Sequence, residues 1–466
     1  MGFQDVPTGC FVGEFRDGPD FEVLDKYHLT PLARVTAADG TMIATALDRA
    51  AAYTPPPAYD RAQALLRIRD AVAARRDRFQ RVMTAEAGFP IADANGEIDR
   101  ALQTLALSAG EAERLAGEVV PFDGARSGTG RIGFTMRLPL GIVVAITPFN
   151  APLNTVCHKL GPAYAAGNAV ILKPSDKTPL TANLLAECFA EAGAGDALSV
   201  LHGGADVAQA LLADNRPNFY AFTGSTAAGA AIQQAAGLRR TQMELGSIAA
   251  TIVLKDADLE TAAAKCAAAS FRKAGQVCTS IQMLMVERDI LQRFRDAYLD
   301  RARTQAPGDP ADPNTDVGPM ISLDAAKRVE GMLQGQNVIL GGTRNDAVLA
   351  PTVIEAPEPD AAVLTEEIFG PVACLIPVDG LDDAIARVNA TPYGLASGVF
   401  TNDLSAAWRA ARALHVGGVH INETSSSRVD LMPYGGTKAS GFGHEGPPRA
   451  VREMSEERLI TFSGLA

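Results

Sequence analysis

Between Gly141 and Val253 the chain keeps returning to short apolar runs rich in β-branched and aromatic residues. They are GIVVAI, AVILK, LSVLH, FYAFTG and TIVLK, and Ala-rich stretches with helical texture lie between most of them. A strand exposed on one face alternates apolar with polar residues; continuous apolar runs mark strands buried on both faces. Buried strands separated by helices predict a parallel sheet covered on both sides, an α/β fold. A second alternation follows, with strands expected at 284–286, 337–340, 372–377, 398–401 and 418–422. The 466 residues suit roughly two to four structural units. Two successive α/β units without a Gly/Ser linker predict two packed domains with a cleft between them. The N-terminal third is expected to be mostly helical, with long helices near 58–75 and 97–115, and residues 453–462 form a terminal strand able to join a neighbouring sheet.

Composition narrows the function classes. With 42 Lys and Arg against 54 Asp and Glu the formal charge is −12, and no basic stretch offers a nucleic-acid surface. No apolar run approaches the roughly 18 residues of a membrane span. The opening MGFQDVPTGC has neither the basic nor the apolar part of a secretory leader. Six scattered cysteines form neither a disulfide framework nor a metal-ligand spacing, so they read as reduced thiols of a cytoplasmic protein with no bound metal.

Several residues could carry chemistry. Cys278, in FRKAGQVCTS, stands in a helical run broken by Gly275; it is either a thiolate nucleophile at a turn or, as for most free cysteines, a packed thiol. Cys10, Cys157, Cys188, Cys266 and Cys374 sit in apolar or Ala-rich settings and read as packing residues. Asn150, between Pro148 and Pro152 after a strand, suits a rigid oxyanion donor or a helix N-cap. Glu244, in QMELGS, is a general base or a surface carboxylate. The turn FTGSTAAG, with Gly224 and Ser225, opens a helix where backbone N–H groups bind phosphate, and Lys173 ends a strand where nucleotides bind in doubly wound sheets. Each also has a plain structural reading, a turn glycine or a solvated lysine.

Taken in order, ITPFNAP, GNAVILKPSDKTPLTA, FTGSTAAG, MELGS, AGQVCTS, EEIFGPV and PYGGTKASGFGHEG resemble the motifs of the aldehyde dehydrogenase superfamily over nearly the whole chain. Within it the chain looks most like the lactaldehyde and phosphonoacetaldehyde dehydrogenase group. The resemblance implies two Rossmann-like three-layer α/β domains plus a small β oligomerisation arm. Residues 1–120 and 139–247 would form the NAD-binding domain, 248–443 the catalytic domain, and 121–138 with 444–466 the arm and tail of a homodimer or homotetramer.

It also implies roles. Cys278 would attack the aldehyde as a thiohemiacetal, with its oxyanion held by Asn150 and the Cys278 backbone. Loss of hydride to the cofactor would leave a thioester, hydrolysed by water that Glu244 activates, and Glu445 would relay protons. Thr147, Phe149, Lys173, Ser175, Asp176, Gly224, Ser225, Leu245, Glu367 and Phe369 would hold the cofactor. A carboxylate at Asp176 favours NAD over NADP, by repelling a 2′-phosphate. Ser247 replaces a common Gly and His444 a common Arg. If Asn150 begins a helix, His158 shares its face and looks into the substrate tunnel, bordered by Arg272, Val277, Arg428 and Tyr434, with the loop 423–431 at the mouth. These side chains suit a small hydroxylated or anionic aldehyde, although Val277 and Ala106 stand where anion-binding relatives carry arginines. A CoA-acylating semialdehyde dehydrogenase is the alternative, and Glu244 speaks against it because such relatives usually lack this carboxylate.

Overall fold

The computed structural model describes residue 3 and residues 5–464. Met1, Gly2 and Gln4 of the expected first domain, and Leu465 and Ala466 of the expected tail, lie outside the described residues. Two large sheets organise the fold. In the first, eight strands run in the order Phe15–Arg16, Cys10–Val12, Leu198–Val200, Ala169–Lys173, Ile142–Ile146, Phe219–Thr223, Arg240–Glu244 and Gly441–Phe442. The strands from Leu198–Val200 to Arg240–Glu244 are parallel, and the others are antiparallel edges. The strand Ile142–Ile146 shows why its sequence does not alternate. Val143 and Ala145 enter the core under the helices Ala58–Ala74, Ile91–Arg114, Asn154–Ala165 and Pro179–Glu191, whereas Ile142, Val144 and Ile146 enter the core under Gly40–Ala52 and Ala205–Ala213.

The second sheet orders Val338–Leu340, Thr352–Glu355, Val372–Val378, Ile281–Glu287, Ala249–Val253, Ala396–Phe400 and Gly418–Ile421. All neighbours are parallel except the first pair. A third, small sheet joins Val119–Val120, Arg131–Pro139 and Ser455–Ser463, the long pair running antiparallel from Ser455 opposite Pro139 to Ser463 opposite Arg131. It leaves Val119, Ile132, Met136, Leu459 and Phe462 exposed.

The structure departs from these expectations at several places; Val119–Val120, expected in the first domain, pairs with Arg131–Pro139 of the arm. The N-terminal third begins with the short strands Cys10–Val12, Phe15–Arg16, Asp20–Leu24 and Pro31–Thr36 before its helices start. Gly441–Phe442 pairs with Arg240–Glu244, so it belongs to the first sheet and not with residues 248–440. After it, the helix Pro447–Glu453 packs against Asn154–Ala165 and Ile91–Arg114 before the chain enters the arm. Among the described residues, no helix is long and apolar enough to cross a membrane.

Candidate active site

In the first sheet the chain moves outward from Ile142–Ile146 to Ala169–Lys173 and Leu198–Val200, then returns to the other side of Ile142–Ile146 as Phe219–Thr223. The strand order reverses there, and a crevice opens beyond the carboxyl ends of the two diverging strands. A cavity of about 380 Å³ occupies this position. Its walls come from the turns after three strands of the first sheet (Pro148 to Ala151, Thr223 to Ser225 and Glu244 to Gly246) and from segments entering the second sheet, including Val277 to Thr279, Glu367 and Phe369.

Cys278 reaches this cavity through an unusual piece of backbone. The helix Leu259–Phe271 stops at Arg272, and the left-handed residues Lys273 (φ 52°), Ala274 (φ 53°) and Gly275 (φ 66°) follow. The helical run therefore breaks before Gly275, where the sequence placed the break. Non-glycine residues in this region cost about 1–2 kcal/mol each, so the surroundings must hold them there. The Lys273 backbone N–H donates to Asp93 (3.0 Å), and its Nζ donates to Glu97 (2.7 Å) and to the Asn150 carbonyl (2.9 Å). At Gly275 a Cβ would lie 2.0 Å from the Gly370 carbonyl oxygen, so only glycine fits. The Asn150 amide donates to the Gln276 carbonyl at 2.8 Å, tying the first-sheet turn to the cysteine loop. Asn150 is not a helix cap, because the helix begins at Asn154. A primary amide has two N–H groups, which leaves one for an oxygen in the cavity that Asn150 lines.

The Cys278 Sγ lies 2.8 Å from the Tyr434 hydroxyl. Burial pushes its thiol up to about 11, against the hydrogen bond from Tyr434. The other five cysteines are buried. Glu244 ends its strand with both carboxyl oxygens buried and unpartnered, and burial, reinforced by Glu445, raises its pKa well above the usual range. Glu445 has the opposite environment. Burial works against its charge, but Lys159 at 3.0 Å and Arg428 at 2.8 Å outweigh it and hold the carboxyl well below the usual range. Two cations thus clamp this carboxylate in its ionised form.

The expected substrate residues divide. Arg272, Val277, Arg428 and Tyr434 line the cavity, as do Thr279 and Ser426. His158 does not. It is fully buried beneath the wall, and its Nε2 lies 2.8 Å from Asp430. His158 lies one helical turn beyond Asn154, which does line the cavity, and Thr104 and Asp430 hold it beneath the wall. Burial and the nearby Arg428 lower its pKa, against the hydrogen bond to Asp430. Asp430 also accepts from Asn154 (3.0 Å) and from both ends of the Arg100 guanidinium (3.2 and 2.7 Å). Burial opposes its charge, but His158 and Arg100 hold it low. Arg100, a cavity residue absent from the sequence reading, lies on Ile91–Arg114 one turn from Glu97 and Thr104, where a charged position reads as a solvated face.

The cavity thus has four arginines in its wall, of which two are neutralised. Arg428 faces Glu445 and Arg100 faces Asp430. Arg272 has no carboxylate partner among the described residues; its one contact is Ser426 Oγ at 3.5 Å, and Thr279 Oγ1 reaches the same hydroxyl at 3.5 Å. Arg328 donates to the Ile368 carbonyl, beside Glu367 and Phe369.

The expected cofactor residues gather along the carboxyl ends of the first sheet. Phe149, Gly224, Ser225, Leu245, Glu367 and Phe369 line the cavity, and the Phe149 and Phe369 rings meet edge-on at 5.9 Å. Ser225 caps the helix Thr226–Ala236. Glu367 accepts from the Ser247 N–H at 2.9 Å, and burial pushes its carboxyl up to about 7. Thr147 carries a buried hydroxyl with no partner among the described residues. Lys173, Ser175 and Asp176 lie on the next strand end, outside the cavity wall; Asp176 meets Lys177 at 3.2 Å. Among the described residues no group of His, Cys, Asp and Glu is placed to hold a metal ion.

The aldehyde dehydrogenase family model matches residues 15–460. The chain is 43% identical over 451 residues to a 3-sulfolactaldehyde dehydrogenase from Priestia aryabhattai, covering 95% of this chain and 94% of that one. Among solved structures, aldehyde dehydrogenase 21 from Physcomitrella patens in complex with the reaction product succinate superposes with a TM-score of 0.95 at 34% identity, covering 98% of both chains. Glyceraldehyde-3-phosphate dehydrogenase GapN from Methanocaldococcus jannaschii, complexed with NADP, gives 0.92 at 34% identity, covering 96% of this chain and all of that one. The chain belongs to the aldehyde dehydrogenase family.

Proposed function

We propose that this protein oxidises a small anionic aldehyde to its carboxylic acid, using a nicotinamide dinucleotide as oxidant. The observation that carries the anionic reading is Arg272, the cation in the wall on the Cys278 side that forms no ion pair with a carboxylate among the described residues, flanked by the Ser426 and Thr279 hydroxyls. A carboxylate, sulfonate or phosphate at the far end of a short aldehyde matches that donor set. Compounds with such a group also figure in the names of the sulfolactaldehyde and glyceraldehyde-3-phosphate relatives and in the succinate complex.

The residues fit a dinucleotide: the orphan Thr147 hydroxyl, the capped helix start at Ser225 and the carboxyl of Glu367 lie beside one crevice at the strand reversal. Gly246 belongs to this cradle, since a Cβ there would lie 2.8 Å from Glu367 Oε2. Lys173 and Asp176 would take the adenosine end, the Asp176 carboxylate favouring NAD. When bound, the nicotinamide accepts a hydride from the substrate carbon.

Within this reading Cys278 attacks the carbonyl carbon, and the free N–H of Asn150 holds the oxygen as it gains charge. Glu244, with both oxygens unpartnered and a raised pKa, takes a proton from the water that attacks the acyl group. Glu445 fixes Arg428 and raises the proton affinity of Glu244. The same Glu244 favours release to water over transfer to CoA. The exposed apolar residues of the arm fit a homodimer or homotetramer, and the free thiols fit a cytoplasmic protein. The test is a panel of short aldehydes with NAD or NADP, with and without CoA, read by absorbance of the reduced nicotinamide. Oxidation of anionic members without CoA is expected; silence across the panel, or turnover that requires CoA, overturns the proposal.

A further inference from the structure

The contact at the nucleophile itself has no part in the scheme above. Tyr434 is 7% exposed, and its hydroxyl finds one hydrogen-bond partner among the described residues, Cys278 Sγ at 2.8 Å. In the resting thiol either atom can donate. Once the sulfur has lost its proton it can only accept, so the phenol becomes the donor.

Three features hold the phenol there. The Tyr434 N–H donates to the Glu445 carbonyl at 3.1 Å, and the Glu445 N–H donates back to the Tyr434 carbonyl at 2.7 Å. The Arg428 guanidinium stacks over the tyrosine ring at 3.8 Å, drawing electron density from the phenol. Arg428 is in turn fixed by Glu445, which Lys159 also grips. Position, orientation and polarisation of one O–H are therefore set by an ion-paired frame that does not touch the sulfur.

We propose that Tyr434 is a catalytic residue of this enzyme, donating its phenolic hydrogen bond to the Cys278 thiolate and so raising the fraction of nucleophile present before substrate arrives. The proposal rests on the reading of Cys278 as the nucleophile. The charged and titratable groups bearing on the sulfur are Tyr434 and Arg428, which favour the thiolate, and Glu244 and Glu367, which oppose it together with burial. Removing the hydroxyl leaves the opposing groups in place and withdraws the one direct donor.

The test uses the full chain without substrate. Alkylation of Cys278 by iodoacetamide is followed across pH by peptide mass spectrometry, in the parent protein and in Tyr434→Phe, which keeps the ring beneath Arg428. The expected result is an alkaline shift of the alkylation profile by about one pH unit, a roughly tenfold slower reaction near neutral pH. A merely structural tyrosine would not move that profile. As a second measurement, replacing all eight tyrosines by 3-fluorotyrosine makes the phenol more acidic and should shift the profile the other way. An unchanged profile in either protein, or faster alkylation of Tyr434→Phe, overturns the role of Tyr434. Failure of Cys278 to alkylate faster than the five buried cysteines in the parent protein overturns the reading of the nucleophile instead.

Discussion

Replacing Arg272 by Met should change which aldehydes the enzyme prefers while leaving its fold alone. Arg272 is exposed at the cavity wall and makes one side-chain hydrogen bond among the described residues, to Ser426 at 3.5 Å; Asp93, which also feels its charge, keeps Lys273 beside it, so removing Arg272 breaks no ion pair. Surface changes of this kind alter stability by less than about 0.5 kcal/mol. Hydrogen bonds to a charged group contribute about 1.5–3 kcal/mol, and solvent screening at an exposed guanidinium places Arg272 near the lower end. About 1.5 kcal/mol is roughly a tenfold change in kcat/KM. Arg100 and Arg428 cannot give so clean a test, because losing either strands Asp430 or Glu445, each with a side chain 2% exposed. The assay compares kcat/KM for a short aldehyde ending in a carboxylate with that for the same chain ending in a methyl group. For Arg272→Met the ratio should fall about tenfold through the anionic member alone, and Arg272→Lys should recover part of it. Equal losses for both aldehydes, or an unchanged ratio, would refute the assignment of the anion to Arg272.

Asp430→Asn should cost about 3–5 kcal/mol, read as a lower Tm, because it leaves Arg100 facing a neutral amide in a buried network. The folded carboxyl lies below its unfolded value of about 3.9, so Asp430 stabilises the protein above that pH and the contribution is lost as pH falls through the folded pKa. The raised carboxyl of Glu244 gives the opposite direction in catalysis: acid release should rise with pH along a limb above the ordinary glutamate value of about 4.3, and Glu244→Gln should lose that limb. On the arm, Leu459→Glu with Phe462→Glu should shift sedimentation toward a smaller species, since both side chains are exposed apolar groups of the small sheet.

The strands Ile142–Ile146, Ala169–Lys173, Phe219–Thr223 and Ala249–Val253 were legible because each is an almost wholly buried apolar run, and the motif order placed Cys278, Asn150, Glu244, Glu367 and Phe369 on one cavity. Other features depend on tertiary context. The strand Gly441–Phe442 is too short to carry a period and exists because Glu244 lies beside it. The left-handed Lys273 and Ala274 carry no local signal; Asp93, Glu97 and Asn150 impose that turn from other segments. His158 shares the face of the cavity residue Asn154, but Thr104 and Asp430 from other segments cover it, which no local pattern signals. Asp430 carries no local signal either: its pairing with Arg100, 330 residues earlier, makes it one of the most buried carboxylates of the site.

The account depends on an acyl group passing through Cys278 and leaving by water that Glu244 activates. Incubating Glu244→Gln with an anionic aldehyde and the oxidised dinucleotide, then measuring intact and peptide mass, tests this most directly. One acyl group per chain is expected, attached at Cys278 and absent from Cys278→Ala. No adduct under conditions where the parent protein turns over, or an adduct on another residue, would contradict it.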